Sequence, residues 1–502
     1  SVSVLYGISS SNLANGALSG AVVLEDNQDG KSFIEAGSVQ GSYQQNSNFL
    51  KINYYKRKLQ TSINIFRKSA LNNYSYLDLN DDKKTQENAS LNHLALMSST
   101  KISLGKSEFK IIYFGQIIER EIPSGFLESP SSAFQNDVNN RIFSYIKHRF
   151  LNSYVQFKSA YYDEKNTYTD SVRSVFGNNP CKTFINQIDF SKSINNFNIL
   201  KINLTNSLAS SNGNNYLGKA EINRTSITGS YKLNNPKYRL KHLITSSVLF
   251  DDKNLSPLTF SYSLKREFYN NFNLYFNAGK VYRFPTINDL FWSPGGNLDL
   301  LPEKGYTSDI GVIWNKNIHK VSLSFEPSLY SRWIDNWILW QPNGSFWSPM
   351  NVKKVWNRGI ETSSKFHFKN KKIIYEFTLK TAYNMSTNIN VYDANNNSLD
   401  KQLIYTPHYK LVFKSQINYK DFTLTYLHNY TGYRFTSRDN ESFLPSFNLG
   451  RLFLSFRLKL KNNSAKIFYK INNLYNTNYQ VVLNRPMPLI NHEIGINFKI
   501  NK

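Results

Sequence analysis

The sequence predicts an all-β protein, a transmembrane antiparallel β-barrel of about 22 strands. Three observations carry this. Apolar and polar residues alternate with period two in stretch after stretch. Short polar turns alternate with longer, irregular connections. No stretch shows a sustained 3.6-residue period. The end of the chain states the pattern most plainly. From Glu493 on, Ile494, Ile496, Phe498 and Ile500 fall on one side, and Gly495, Asn497, Lys499 and Asn501 on the other. Successive strand residues point to opposite faces, so one face is apolar and the other polar. A soluble sandwich could bury that apolar face, and a membrane barrel could turn it to lipid. The number and rhythm of such strands separate the two.

The 502 residues are enough for two or three soluble domains or one very large barrel. Mean hydropathy is −0.47, and no run approaches the ~18 apolar residues of a membrane helix. That excludes a helical membrane protein and says nothing against a barrel, whose strands average out as hydrophilic. With 33 Tyr and 35 Phe against only 15 Pro and 23 Gly, the chain is built to fold. The net charge of +25 fits either attraction to phosphate-rich partners, such as nucleic acid or lipopolysaccharide, or a Lys/Asn bias spread along the chain. No dense basic run favours the first. The single cysteine, Cys181, precludes an internal disulfide and a cysteine-based metal site.

Taken in order, residues 1–28 read as a Gly-rich turn feeding one short strand at Ala21–Leu24. No secretory signal opens the chain, which is expected to begin after processing or partway through a longer gene product. From about Ser32 strands repeat. Leu50, Ile52 and Tyr54 alternate with Lys51 and Asn53. Ile63 and Ile65 alternate with Asn64, Leu200, Ile202 and Leu204 with Lys201 and Asn203, and Phe272, Leu274 and Phe276 with Asn273 and Tyr275. Leu452, Leu454, Phe456 and Leu458 are expected to face lipid, with Ser455 and Arg457 toward the lumen. Short turns are expected near Tyr55–Lys58, Arg149–Asn152, Ser193–Asn196, Asn234–Lys237, Tyr269–Asn271, Asn315–Asn317, Asn370–Lys372, Tyr419–Asp421 and Lys461–Asn463. Longer segments are expected near Leu71–Glu87, Arg120–Asn136, Glu164–Lys182, Ser207–Tyr216, Arg283–Lys304, Pro342–Pro349, Ser386–Lys401, Phe435–Phe443 and Asn476–Pro486. A meander with turns at one end and loops at the other is the bacterial outer-membrane pattern. A soluble propeller would show a fixed glycine-rich repeat, and none is visible.

The stretch from Tyr282 reads YRFPTINDLFWSPGGNLDLLPEKGYTSDIGVIW. Its Arg283-Phe284-Pro285-Thr286, Asp289-Leu290-Phe291, Gly296-Asn297-Leu298, Leu301-Pro302-Glu303 and Gly311 resemble the TonB-dependent outer-membrane receptors. So do Asn351 with Gly359-Ile360-Glu361, Thr406-Pro407, Asn472-Asn473-Leu474-Tyr475-Asn476 with Tyr479, and Pro486-Met487-Pro488. Together these cover residues 283–498. The opening Tyr6-Gly7, Ser10-Ser11-Asn12-Leu13 and Gly16-Ala17-Leu18-Ser19-Gly20-Ala21-Val22 look like the tail of that family's plug domain. The resemblance therefore implies a plug remnant over 1–28 and an outer-membrane barrel over 29–502. The rest of the plug, with the box that engages TonB, has no counterpart in the motifs found. Leu489-Ile490 stand where the family often has Gly-Arg, and four residues follow Phe498, where such barrels often end on an aromatic.

No catalytic run is present, whether G-x-S-x-G, H-E-x-x-H or a P-loop, so no enzyme activity and no cofactor are expected. Asp81-Asp82 and Asp251-Asp252 admit a calcium site but fit solvated loops better. Of the scattered histidines, His148, His319 and His367 fall near short turns and His408 inside a strand. None lies between Arg283 and Glu303, where haem receptors of the family carry one. No metal-ligand set is assigned. The candidate ligand-binding residues are outer-loop aromatics, Trp292, Trp340, Phe346 and Trp347, which give contact area with few rotors. The alternative for them is the interfacial girdle of any barrel, where Trp333 and Trp337 are placed. The expected function is uptake of a scarce small nutrient of the iron–siderophore or cobalamin type, with a plugless passive pore or inert barrel as the alternative. The expected partners are outer-membrane lipid and lipopolysaccharide, the ligand, and the TonB complex once a plug segment is supplied. Nucleic acid is not expected, and the barrel is expected to be monomeric.

Overall fold

Alternation of this kind closes a sheet on itself when no edge is left to water. The computed structural model describes residues 2–6, 20–24, 30–78, 80–125, 127–128, 130–252, 254–268, 271–343, 346–391 and 397–501. Among them, 22 antiparallel strands run in sequence order round one barrel. The first barrel strand, Phe33–Gly41, closes it against the last, Asn491–Asn501, with Ile34 opposite Ile500 and Gly41 opposite Glu493. A separate two-stranded ribbon pairs Val2–Tyr6 with Gly20–Leu24, so the strand expected at 21–24 is present and has a partner. The plug-like Gly7, Ser10 to Leu13 and Gly16 to Ser19 lie outside the described residues, as do two of the three residues of the turn expected at Tyr269–Asn271.

At one end the connections are tight, as at 57–58, 105–106, 370–372, 420–421 and 461–462. Several carry a residue with positive φ, such as Arg57 at 51° and Lys461 at 55°, the twist that two-residue hairpins need. At the other end the connections include 71–90, 284–302, 391–408 and 473–490. The core is inside out. Large apolar side chains such as Leu454, Ile467, Ile494 and Leu94 stay exposed on the outer face. Leu454 is 43% exposed, whereas its neighbour Ser455, facing inward, is 8% exposed. The register pairs Leu454 with Leu424 and Tyr469, and Arg457 with Lys466, so each face is continuous across strands. The expected lipid and lumen faces are the observed ones.

Four expectations are corrected. Glu164–Lys182 is not a loop. Strands Ser153–Asp170 and Val175–Ser193 pair up to Asp170 opposite Val175. Pro342–Pro349 belongs to strands Val321–Asn343 and Phe346–Lys369, the longest hairpin of the barrel. At ~3.3 Å per residue these strands far outrun the ~25 Å apolar band. Their overhanging parts have no lipid to hold one face apolar, and apolar and polar residues mix there without the alternation that marks a strand. The turn expected at Asn315–Asn317 lies at 319–320, because Glu303–Ile318 runs further. His408 sits just before strand Tyr409–Tyr419, not inside a strand, and its Nδ1 lies 3.1 Å from the Asn384 carbonyl.

Candidate functional site

The long-loop end builds a mouth, and segment 284–302 shapes it. Thr286 caps a one-turn helix, Ile287–Phe291. Its hydroxyl accepts from the Asp289 N–H at 3.2 Å, and the Asp289 carboxylate accepts from the Thr286 N–H at 2.8 Å. Asp289 is buried, and its other oxygen accepts from the Trp340 indole N–H at 2.8 Å. Arg283 bonds Glu303 and lies 3.8 Å from Asp289. Glu303, also buried, accepts from the Ile338 N–H at 2.8 Å. Asn351 accepts from the Leu301 N–H at 2.9 Å and donates to the Asn336 carbonyl at 2.8 Å. Charged groups hydrogen-bonded on several sides in a dry setting hold firmly. The resemblance motif residues Arg283, Asp289, Glu303 and Asn351 thus staple the segment to the long hairpin; they are a latch, not a ligand surface. Gly295, at φ 118°, packs against the Trp347 carbonyl where a side chain could not.

A second segment, 212–219, is sewn to the first. The Leu217 N–H donates to the Phe291 carbonyl at 2.9 Å, and the Ser293 N–H to the Asn215 carbonyl at 2.7 Å. The Tyr216 hydroxyl donates to Asn288 at 2.6 Å, and its ring meets Trp292 edge-on with centroids 5.6 Å apart. Burial pushes the Tyr216 hydroxyl up to about 12, so it remains a neutral donor at physiological pH. Below these segments the inner wall contributes Glu164, whose carboxylate takes an Arg141 Nε–H at 2.7 Å, and Asn166, which donates to Asp137 at 2.6 Å. Together they enclose a cleft of about 850 Å³, with Tyr168, Asn179, Cys181, Tyr216, Trp292 and Phe346 in its lining. Aromatic faces joined by amides and one paired carboxylate suit a compact polar ligand with apolar surface.

Of the four aromatics singled out in the sequence, Trp292 and Phe346 come together in this cleft. Trp340 is committed to Asp289, and Trp347 is exposed on the same hairpin. Trp333 stacks on Trp356 with centroids 5.4 Å apart on the outer face, as a girdle residue would. Trp337 does not; it packs against buried Val281 and Ile334. The local twist at Asn336, with φ 56°, reaims it. Tyr168, Asn179 and Cys181 were missed because their strands read as loop. Their same-face spacing, Glu164-Asn166-Tyr168 and Asn179-Cys181, was the available signal. Among the described residues no three His, Cys, Asp or Glu side chains gather in a way that could hold a metal ion. Asp251 is paired with Arg224 at 3.1 Å.

Residues 26–474 match the family described as TonB dependent receptor-like, beta-barrel. The chain belongs to that family. Its place is the bacterial outer membrane, where receptors of this kind form closed 22-stranded barrels. Among curated proteins it is similar to the vitamin B12 transporter BtuB of Photobacterium profundum, 31% identical over 133 residues, 26% of this chain and 19% of that one. It is also similar to BtuB of Vibrio vulnificus, 30% identical over 92 residues, 18% of this chain and 14% of that one. The matched stretches thus span less than a fifth of those relatives. Among solved structures it resembles the FrpB iron transporter from Neisseria meningitidis (F3-3 variant), with a TM-score of 0.80 at 12% identity over 99% of this chain and 87% of that one. The copper transporter OprC gives 0.79 at 12% identity, over 99% and 85%. These likenesses show the fold.

Proposed function

We propose that this chain is the barrel of an outer-membrane uptake receptor, and that the mouth cleft holds its ligand. The ligand class is a scarce small nutrient, an iron–siderophore complex or a cobalamin. In the complete receptor a plug domain, of which residues 1–28 are the tail, couples release to TonB. Residues 29–502 form the barrel, monomeric in outer-membrane lipid. The observation that carries the reading is the cleft itself. A buried charge network pins one segment, a second is hydrogen-bonded to it, and their Trp292 and Tyr216 meet Phe346 of the long hairpin at one polar cavity at the ligand-facing end. The names of the BtuB relatives favour the receptor over an inert barrel. The test is tryptophan-fluorescence titration of the detergent-solubilised protein with cyanocobalamin and with a ferric tris-catecholate. One of them should quench saturably, and Trp292→Phe should remove most of the quench. The reading fails if neither quenches at concentrations where family receptors saturate.

A further inference from the structure

The lumen wall is electrically lopsided. Eight neighbouring strands, from Tyr409–Tyr419 through the closure to Leu59–Ala70, present ten Lys or Arg side chains inward. Two come from Tyr409–Tyr419, three from Phe447–Leu460, two from Asn463–Asn472, and one each from Asn491–Asn501, Gln45–Lys56 and Leu59–Ala70. Among the described residues, three carboxylates oppose them: Glu35, opposite Lys499 and Lys51; Glu493, paired with Lys470 at 2.7 Å; and the turn residue Asp421, paired with Lys459 at 2.7 Å. Across the lumen, cations and carboxylates interleave, as in Lys158 with Asp189 at 2.8 Å, Arg224 with Asp251 at 3.1 Å and Lys365 with Glu326 at 3.4 Å.

The arc is densest near the short-turn end. There Arg457 and Lys466 are direct cross-strand partners on the lumen face. Like charges directly opposite destabilise a sheet unless something anionic lies between them. Neither has a carboxylate at ion-pair distance among the described residues. Lys466 sits 5.1 Å from the Phe453 ring centroid, and Lys499 and Lys51 lie 3.9 and 5.3 Å from that of Phe33. Ring faces thus favour placing these cations along the wall. A barrel of this size cannot fill its lumen with its own side chains.

We propose that this arc is the docking face for a folded domain that enters the lumen from the short-turn end and presents a carboxylate-rich surface to Arg457, Lys466, Lys499 and Lys51. The inference rests on the receptor reading for there being such a domain; the sign and place of its contact surface come from the wall. The domain's other faces, toward the interleaved half, need no net charge.

The test uses the full 502-residue chain in detergent at low ionic strength, with fluorescein-labelled hexaglutamate standing for the acidic face and labelled hexalysine as its opposite. Hexaglutamate should bind and hexalysine should not. Arg457→Glu with Lys466→Glu should weaken hexaglutamate binding about tenfold or more. Lys201→Glu with Lys232→Glu makes the same change in net charge at similar depth across the lumen, and should change it by no more than about twofold. Arg457→Gln with Lys466→Gln should fall between and guards against misfolding of the reversed pair. Equal weakening by the two reversed pairs would mean that only net charge matters and would overturn the proposal, as would no binding of hexaglutamate. Neither result touches the ligand titration at the mouth, so the two readings fail separately.

Discussion

Leu454→Lys places a charge on the outer face of strand Phe447–Leu460, at the eighth of its 14 residues. Its register partners Leu424 and Tyr469 are outward too, and neither neighbouring strand has a carboxylate on its outer face to pair with the ammonium. A lysine at the bilayer midplane costs about 2–4 kcal/mol, or roughly 30- to 700-fold in the folding equilibrium at 1.4 kcal/mol per decade. The matched control is Val412→Lys. Val412 has the opposite facing, is 37% exposed into the lumen and has room for a longer chain. Ser455 serves less well, because it is buried opposite Phe468. The control should cost under about 1 kcal/mol, with the new ammonium in water and only weak repulsion from Lys410 and Lys414. Urea titration of the folded fraction in lipid vesicles reads both. Equal midpoints for the two variants would refute the assignment of faces and, with it, the membrane barrel.

Two further outcomes follow from the mouth. In a Cys181→Ser background, Leu298→Cys should react with an impermeant maleimide on intact cells and Lys371→Cys should not, since 284–302 and 370–372 lie at opposite ends of the barrel; the reverse would invert the topology. Asp289→Ala strands the Trp340 indole and the Thr286 N–H, at about 1–3 kcal/mol. It should raise hydrogen exchange across 284–302 while the barrel's urea midpoint holds, and Asp289→Asn should do less; unchanged exchange would mean that the latch does not hold the segment.

The barrel was legible because lipid exposure enforces strict alternation. Leu452 to Leu460 and Ile494 to Ile500 could face only one way. Beyond the membrane that enforcement ends. Glu164–Lys182 and Pro342–Pro349 lie beyond the apolar band, lose the period and read as loop, although they are the hairpin walls that carry Tyr168, Asn179 and Phe346. The motif at Arg283–Glu303 marked the segment and gave its charged residues no role. Its charged residues hold the segment and leave the ligand surface to Trp292 and to residues from other strands. Trp340 and Trp347 show the limit of choosing by residue type. An aromatic near a loop can serve a ligand, a carboxylate or nothing, and only the fold decides which.

The most direct measurement uses Cys181, the single cysteine of the chain, which lines the mouth cleft. Its reaction with an impermeant maleimide is followed while the ligand that quenches Trp292 is titrated. If the cleft is the ligand site, the labelling rate falls with ligand concentration along the same curve as the quench. A labelling rate that stays constant while the quench saturates would place the ligand elsewhere and contradict the account.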